Sequence, residues 1–225
     1  NATVVRCFPG VILHEMRLIK QPYELELMQR AADITAQTHR LIMQTVRPGM
    51  YEYEIEALID YKFKEQGAKG CGYSSIVGSG VNATILHYIE NRCEMKDGDL
   101  LLVDAGAEFD YYNADLTRTL PINGKFSPTQ RHLYELVLTA QKAAIEKVKP
   151  GTHFNEIHDT ALKILTEGLL DLGLLEGNLE ELLEKEGYKK FYMHKTSHWL
   201  GMDVHDMGKY RLKQDWRPLQ PGMVL

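Results

Sequence analysis

Cysteine is scarce in this chain of 225 residues: the three present, Cys7, Cys71 and Cys93, are odd in number and show no C-x-x-C spacing. That pattern indicates neither a disulfide framework nor a cysteine-based zinc site, and it sets a reducing, cytoplasmic location as the expectation. Long apolar runs are missing as well. No window approaches the roughly 20 apolar residues that a membrane span needs, and the N-terminus lacks a charged-then-apolar signal pattern, so no membrane partner is expected. Basic runs go no further than Lys189-Lys190, and the formal net charge is -5. Nucleic-acid binding, which needs clustered Lys and Arg facing phosphates, is therefore not expected.

What is present is an ordinary globular composition, 44% hydrophobic and 25% charged, long enough to bury a substantial core. Residues 1–14 read as a linker or tail and 15–225 as the folded domain. From Pro22 the apolar positions Leu25, Met28, Ala32, Ala36, Ile42 and Met43 follow a helical period until Pro48-Gly49 stops it. A second helix carries Ile55, Leu58, Ile59 and Phe63 on one face and ends at Gly67. The Gly70–Gly80 passage is a glycine-rich loop without a Walker lysine, so Gly78-Ser79-Gly80 is read as a sharp turn. Ile85 to Ile89 reads as a strand carrying His87. Ser127-Pro128 opens a helix with Leu133, Leu136, Val137, Ala140 and Ala144 as its apolar stripe, and Phe154, Ile157, Ala161 and Leu165 mark another. The acidic stretch from Asn178 to Gly187 is expected to be solvated.

Two passages match. Val46-Arg47-Pro48-Gly49 with Glu54-Ile55 recurs 102 residues later as Val148-Lys149-Pro150-Gly151 with Glu156-Ile157, each between two predicted helices. Matching context on both sides points to a duplicated unit. Asp97-Gly98 precedes Asp104, whereas the corresponding Pro221-Gly222 is followed only by Met223-Val224-Leu225, so the repeat predicts a carboxylate three residues past the last residue given.

The stretch from Asp99 to Thr119 concentrates the chemistry. Leu100–Val103 is a short apolar strand leading into Asp104, and Asp115 opens a second extended segment after a turn near Phe109–Tyr112. Paired strands would set two carboxylates side by side, where repulsion is relieved by a proton or a cation. The alternative is that Asp104 caps a turn and Asp115 pairs with Arg118. Three of nine histidines, His194, His198 and His205, fall within twelve residues. His194 and His198 have zincin spacing, but Lys195 stands where that motif needs a glutamate. Carboxylates with one imidazole make an oxygen-rich site suited to Mn(II) or a similar ion. His14, His39, His132, His153 and His158 are read as satisfied core or surface residues.

The blocks Ile85-Leu86-His87-Tyr88, Val103-Asp104-Ala105-Gly106, Ala114-Asp115-Leu116-Thr117-Arg118-Thr119, Ser197-His198-Trp199-Leu200-Gly201 and Val204-His205-Asp206 together resemble the catalytic domain of the aminopeptidase P family, among the pita-bread metallopeptidases. The resemblance implies an α+β fold with two pseudo-symmetric halves around a curved antiparallel sheet, the second half incomplete here. It implies Asp104, Asp115 and His198 as metal ligands, with Asp115 bridging two divalent ions, expected to be Mn(II). It implies His205 and His194 beside the scissile peptide, His205 to stabilise the tetrahedral intermediate, His87 to contact substrate or protonate the leaving proline nitrogen, and Tyr73 to line the pocket. The expected substrate is a peptide with proline in second position. Two glutamate ligands that the family places beyond a Pro-Gly-Met-Val-Leu segment are not in the sequence given, so the expectation for this chain by itself is weak metal binding and little or no hydrolysis. Prolidase is the rival reading, and a non-catalytic pita-bread binding protein is a further one. Creatinase, which works without metal, is disfavoured by Asp104, Asp115 and His198. An uncovered sheet edge leaves a homo-oligomer open as an expectation.

Overall fold

The computed structural model describes residues 9–225, apart from the side chain of Val11; Cys7 and the first part of the expected linker lie outside the described residues. Three helices lead, α1 (Gly10–Leu18), α2 (Pro22–Thr45) and α3 (Glu52–Glu65). Pro22 sits in the first turn of α2, and the Glu24 side chain accepts from the Gln21 backbone N–H at 2.7 Å, closing the helix start. The buried face of α2 is Met28, Ala31, Ile34, Thr35, Thr38, His39 and Ile42. It is rotated from the expected stripe, leaving Leu25, Ala32 and Met43 exposed. Two threonines can face inward because their hydroxyls donate to the helix's own carbonyls, Thr35 to Ala31 at 2.8 Å and Thr38 to Ile34 at 2.9 Å. α3 buries Ile55, Ile59 and Phe63 as expected, and Gly67 ends it with φ 91°.

Six short strands follow: β1 (Gly70–Cys71), β2 (Ile76–Ser79), β3 (Leu100–Asp104), β4 (Ala107–Phe109), β5 (Tyr112–Asn113) and β6 (Thr117–Pro121). All pair antiparallel, in the orders β1-β4-β5 and β2-β3-β6. Asp110 and Tyr111, with φ 45° and 70°, make the tight turn predicted near Phe109–Tyr112. The expected strand at Ile85–Ile89 does not form. A 3₁₀ turn occupies Gly80–Thr84, and His87 follows in a loop with φ 55°. The core of this half gathers Ile34, Ile42, Ile55, Ile59, Phe63, Val77, Leu101 and Val103, each fully buried. Side chains of this size contribute about 1.5–3 kcal/mol each when removed from water.

The second half holds α4 (Pro128–Glu146), α5 (Phe154–Asp171), the short α6 (Leu179–Glu184) and a ribbon of β7 (Arg211–Leu212) with β8 (Asp215–Trp216). Ser127 caps α4, accepting from Gln130 N–H. The α4 stripe is narrower than expected: Ala140 and Ala144 enter the core with Phe154, Ile157, Ala161, Trp199, Leu219 and Leu18 of α1, while Val137 is exposed and Leu133 and Leu136 pack on a side cluster with Leu162, Leu169 and Tyr188. The acidic α6 buries none of its residues.

The duplication is visible in the hydrogen bonding. Gly49 N–H donates to Met95 O and Gly151 N–H to Leu219 O, both at 2.9 Å, and both glycines have left-handed φ, 87° and 91°. Glu52 N–H reaches Cys93 O and Phe154 N–H reaches Arg217 O, both at 3.0 Å. The backbone N–H groups of Tyr51 and His153 are closed by Glu54 and Glu156. Each helix-turn-helix is thus clasped to a later extended segment by the same bonds.

Candidate metal centre

Asp104 is the last residue of β3 and stands opposite Thr117 in the ladder. Beyond it the ribbon kinks: Ala105 N–H still reaches Leu116 O at 3.2 Å, and Ala114 N–H reaches Ala107 O at 3.0 Å, but Asp115 lies between β5 and β6 in neither strand. The kink needs Gly106. A Cβ there would stand 1.8 Å from the Ala114 carbonyl oxygen and 3.1 Å from Asp115 N, so only glycine lets the two chains approach this closely. The result brings Asp104 and Asp115 to one hydroxyl, that of Tyr73, which donates to Asp104 Oδ1 and lies 3.0 Å from Asp115 Oδ1. Arg118 turns instead to the Thr117 carbonyl, so the Asp115–Arg118 pair does not form.

His198 Nε2 lies 3.1 Å from Asp115 Oδ2, and its Nδ1–H donates to the Trp199 carbonyl at 2.9 Å. His205 stacks on His198 with ring centroids 4.0 Å apart. Electrostatics divides the groups. Burial, reinforced by the Asp115 charge, raises the Asp104 carboxyl above its ordinary range. Asp115 is held below that range, because hydrogen bonds from His198 and Tyr73 outweigh its burial. His198 is raised by its bond to Asp115. His205 is lowered by burial and by the neighbouring His198. Tyr73 is pushed up by burial and by both carboxylates, so its phenol stays protonated.

The remaining site residues are placed unevenly. His87 is exposed on its loop, close enough to Asp104 and His205 to act on both electrostatically. His194 holds its Nδ1 against the Lys195 carbonyl and its ring against Tyr192, with no hydrogen bond to Asp104, Asp115 or His198 among the described residues. Among the described residues no group of three His, Cys, Asp or Glu side chains converges on one point. The donor set nevertheless fits a hard divalent ion: two carboxylates share one small hydroxyl, and the Nδ1 bond to Trp199 O orients His198 so that Nε2 faces Asp115.

Several supporting residues carry no local sequence signal. His39 reaches the Ala105 carbonyl from α2 at 3.3 Å, and Thr35 Oγ1 accepts from Ala107 N–H, so α2 braces the kink. His158 Nδ1 accepts from the Thr196 backbone N–H and hydroxyl, fixing the loop between His194 and His198. Asp206, directly after His205, is buried between Lys20 and Arg17, and a Cβ on Gly201 would meet it at 2.1 Å. The adjacency of Asp206 to His205 is the one hint the sequence offers.

Two carboxylates that share one hydroxyl, with an imidazole bonded to one of them, in an α+β frame of two matching halves make a donor set of the kind that metal-binding domains present. The chain belongs to metallopeptidase family M24, whose model matches residues 26–225. It is 52% identical over 214 residues to the Xaa-Pro aminopeptidase of Haemophilus influenzae, covering 95% of this chain and 50% of that protein. The structure of Pseudomonas aeruginosa aminopeptidase PepP superposes with a TM-score of 0.94 at 51% identity, covering 95% of this chain and 48% of that one. A variant of Escherichia coli aminopeptidase P in complex with substrate superposes with a TM-score of 0.91 at 46% identity, over 94% and 48%. The chain spans about half the length of the curated relatives it matches. The fold is the pita-bread fold of these structures.

Proposed function

We propose that residues 15–225 belong to the catalytic domain of a metal-dependent Xaa-Pro aminopeptidase that removes the N-terminal residue from peptides with proline in second position. The observation that carries this reading is the meeting of Asp104 and Asp115 at Tyr73 with His198 and His205 alongside, in a chain 52% identical to an Xaa-Pro aminopeptidase. Asp104, Asp115 and His198 would hold divalent metal, with Mn(II) favoured by their oxygen-rich donor set. When bound, two such ions supply Lewis acidity toward a peptide carbonyl. The chain's own residues do the rest. Asp115, kept ionised, and His198, oriented by Trp199, would hold the ions' positive charge in place. His205, kept neutral beside His198, offers an N–H to oxygen on which negative charge develops. His87, on its loop within electrostatic reach of Asp104, would deliver a proton to the leaving nitrogen. His194 and Tyr73 complete the substrate side. A cytoplasmic setting accords with the unpaired Cys71 and Cys93.

The test is hydrolysis of Arg-Pro-Pro and of Gly-Pro by the full-length protein loaded with Mn(II), alongside Asp115→Asn. Release of arginine from the tripeptide, lost in the variant, supports the reading. Turnover of Gly-Pro alone makes it a prolidase, and no turnover of either peptide makes it a non-catalytic member of the fold.

A further inference from the structure

Glu52 is the first residue of α3, and its side chain is fully buried at 0% exposure. An ionised carboxylate in such a place is costly unless every lone pair is used. Here five donors meet it. Oε1 accepts from Ser79 N–H at 2.8 Å, the Ser79 hydroxyl at 2.7 Å and Asn82 Nδ2 at 3.0 Å. Oε2 accepts from the Tyr88 hydroxyl at 2.8 Å and Cys93 N–H at 2.9 Å. No cation is among these partners; the start of α3 supplies the remaining favourable field.

All five donors belong to one segment, residues 79–93, which carries His87. Beyond Ser79, the last residue of β2, no strand holds that segment. Its second anchor is Asn91, fully buried with φ 48°, whose Oδ1 accepts from Val77 N–H and whose Nδ2 donates to Ser75 O. Between the anchors Val81, Ile85, Leu86 and Ile89 are exposed, and Tyr88 turns inward to Glu52. His87, one residue before Tyr88, takes a left-handed φ of 55°, uncommon for residues with a side chain although histidine tolerates it better than most.

We propose that Glu52 is a positioning residue for His87: its carboxylate gathers Ser79, Asn82, Tyr88 and Cys93 into one anchor that fixes the backbone carrying His87. The proposal rests on the peptidase reading for His87's role. A carboxylate is required because every partner is a donor. An amide in its place would aim its own N–H groups at the Tyr88 hydroxyl and Cys93 N–H, or at Ser79 and Asn82.

The experiment uses the full-length, Mn(II)-loaded protein with Glu52→Gln, Tyr88→Phe, His87→Ala and the double variant E52Q/H87A, measuring kcat and KM on an Xaa-Pro tripeptide and hydrogen exchange of the amides of residues 85–92. E52Q is expected to lower kcat about tenfold or more with metal stoichiometry unchanged, and Y88F to lower it less, since a small misplacement of a catalytic group costs on this scale. In the H87A background E52Q is expected to cost less than about twofold further, because its effect runs through His87. Amides 85–92 should exchange faster in E52Q and Y88F. Equal losses from E52Q with and without His87, or unchanged exchange at 85–92, overturn the proposal. If E52Q does not fold, Y88F decides by the same two readouts. Full activity in H87A also overturns it, since nothing is then positioned. A parent protein with no Xaa-Pro hydrolysis refutes the peptidase reading instead, and the exchange data still decide whether Glu52 holds the segment.

Discussion

Gly106→Ala should be among the most damaging single-methyl additions in the molecule. The new Cβ would lie 1.8 Å from Ala114 O, 2.6 Å from Ala114 C and 3.1 Å from Asp115 N, all backbone atoms that cannot rotate aside. Restoring ordinary contact requires the two chains to part by roughly 1.5 Å, and overpacking of this kind costs about 1–3 kcal/mol, more where backbone must move. The movement is not random in its effect. Gly106 follows Asp104 by two residues and Ala114 precedes Asp115, so parting them separates the two carboxylates from their shared Tyr73 hydroxyl. Thermal melts and Mn(II) titration calorimetry on G106A are expected to show a lower Tm and at least tenfold weaker binding, given the tenfold change per 1.4 kcal/mol. Gly124→Ala is the control: its φ of 77° strains a side chain, but nothing lies within 4 Å of its Cβ, so stability falls slightly and metal binding stays. If G106A melts and binds like the unsubstituted chain, the close approach at Ala114 does not set the carboxylate spacing.

Glu52 is held below the usual carboxylate range, burial being outweighed by hydrogen bonds from Asn82, Ser79 and Cys93, so its contribution to stability is complete above its ordinary value of 4.5 and is lost as pH falls through the depressed one. Urea melts should therefore show the gap between the unsubstituted chain and E52Q closing below about pH 4.5; a gap that is constant down to pH 2.5 refutes the depressed value. Asp206→Asn leaves the buried Lys20 ammonium without its counter-charge, and a cost of about 3–5 kcal/mol in urea unfolding is expected. Trp199→Ala empties a fully buried indole packed on Phe154 and Tyr210, costing about 3–5 kcal/mol by chemical unfolding and weakening metal binding through its neighbour His198. A loss below 1 kcal/mol in either variant, read from the shift in urea midpoint, would contradict the packing described.

Much of this arrangement was legible in the amino-acid sequence because its signals are local. Pro22, Pro48-Gly49, Ser127-Pro128 and Pro150-Gly151 punctuate the helices where the chain folds, and Asp110-Tyr111 turns where the strands demanded it. The pairing of Asp104 with Asp115 was readable too, though not as facing strand residues, since the Gly106 kink delivers the contact instead. Ile85 to Ile89 has strand-like composition, but Tyr88 is drawn inward to Glu52 and His87 takes a left-handed φ of 55° that a strand does not contain. Glu52 itself looked like any acidic residue at a helix start. Its burial depends on five donors far along the chain. The rotation of α2 has the same origin: Thr35, Thr38 and His39 score as polar, yet each finds a backbone partner inside.

The clasp shared by the two halves also bears on how such a molecule tolerates growth. In the first half it closes from residue 49 to 95, in the second from 151 to 219, so the later loop carries about twenty extra residues, α6 among them, ahead of the histidine block. Lengthening a loop by that proportion raises its closure entropy by only about 0.3 kcal/mol. A duplicated scaffold of this kind can therefore accept new sequence inside one copy at almost no thermodynamic cost, and two equal halves are free to become unequal in chemistry while remaining equal in architecture.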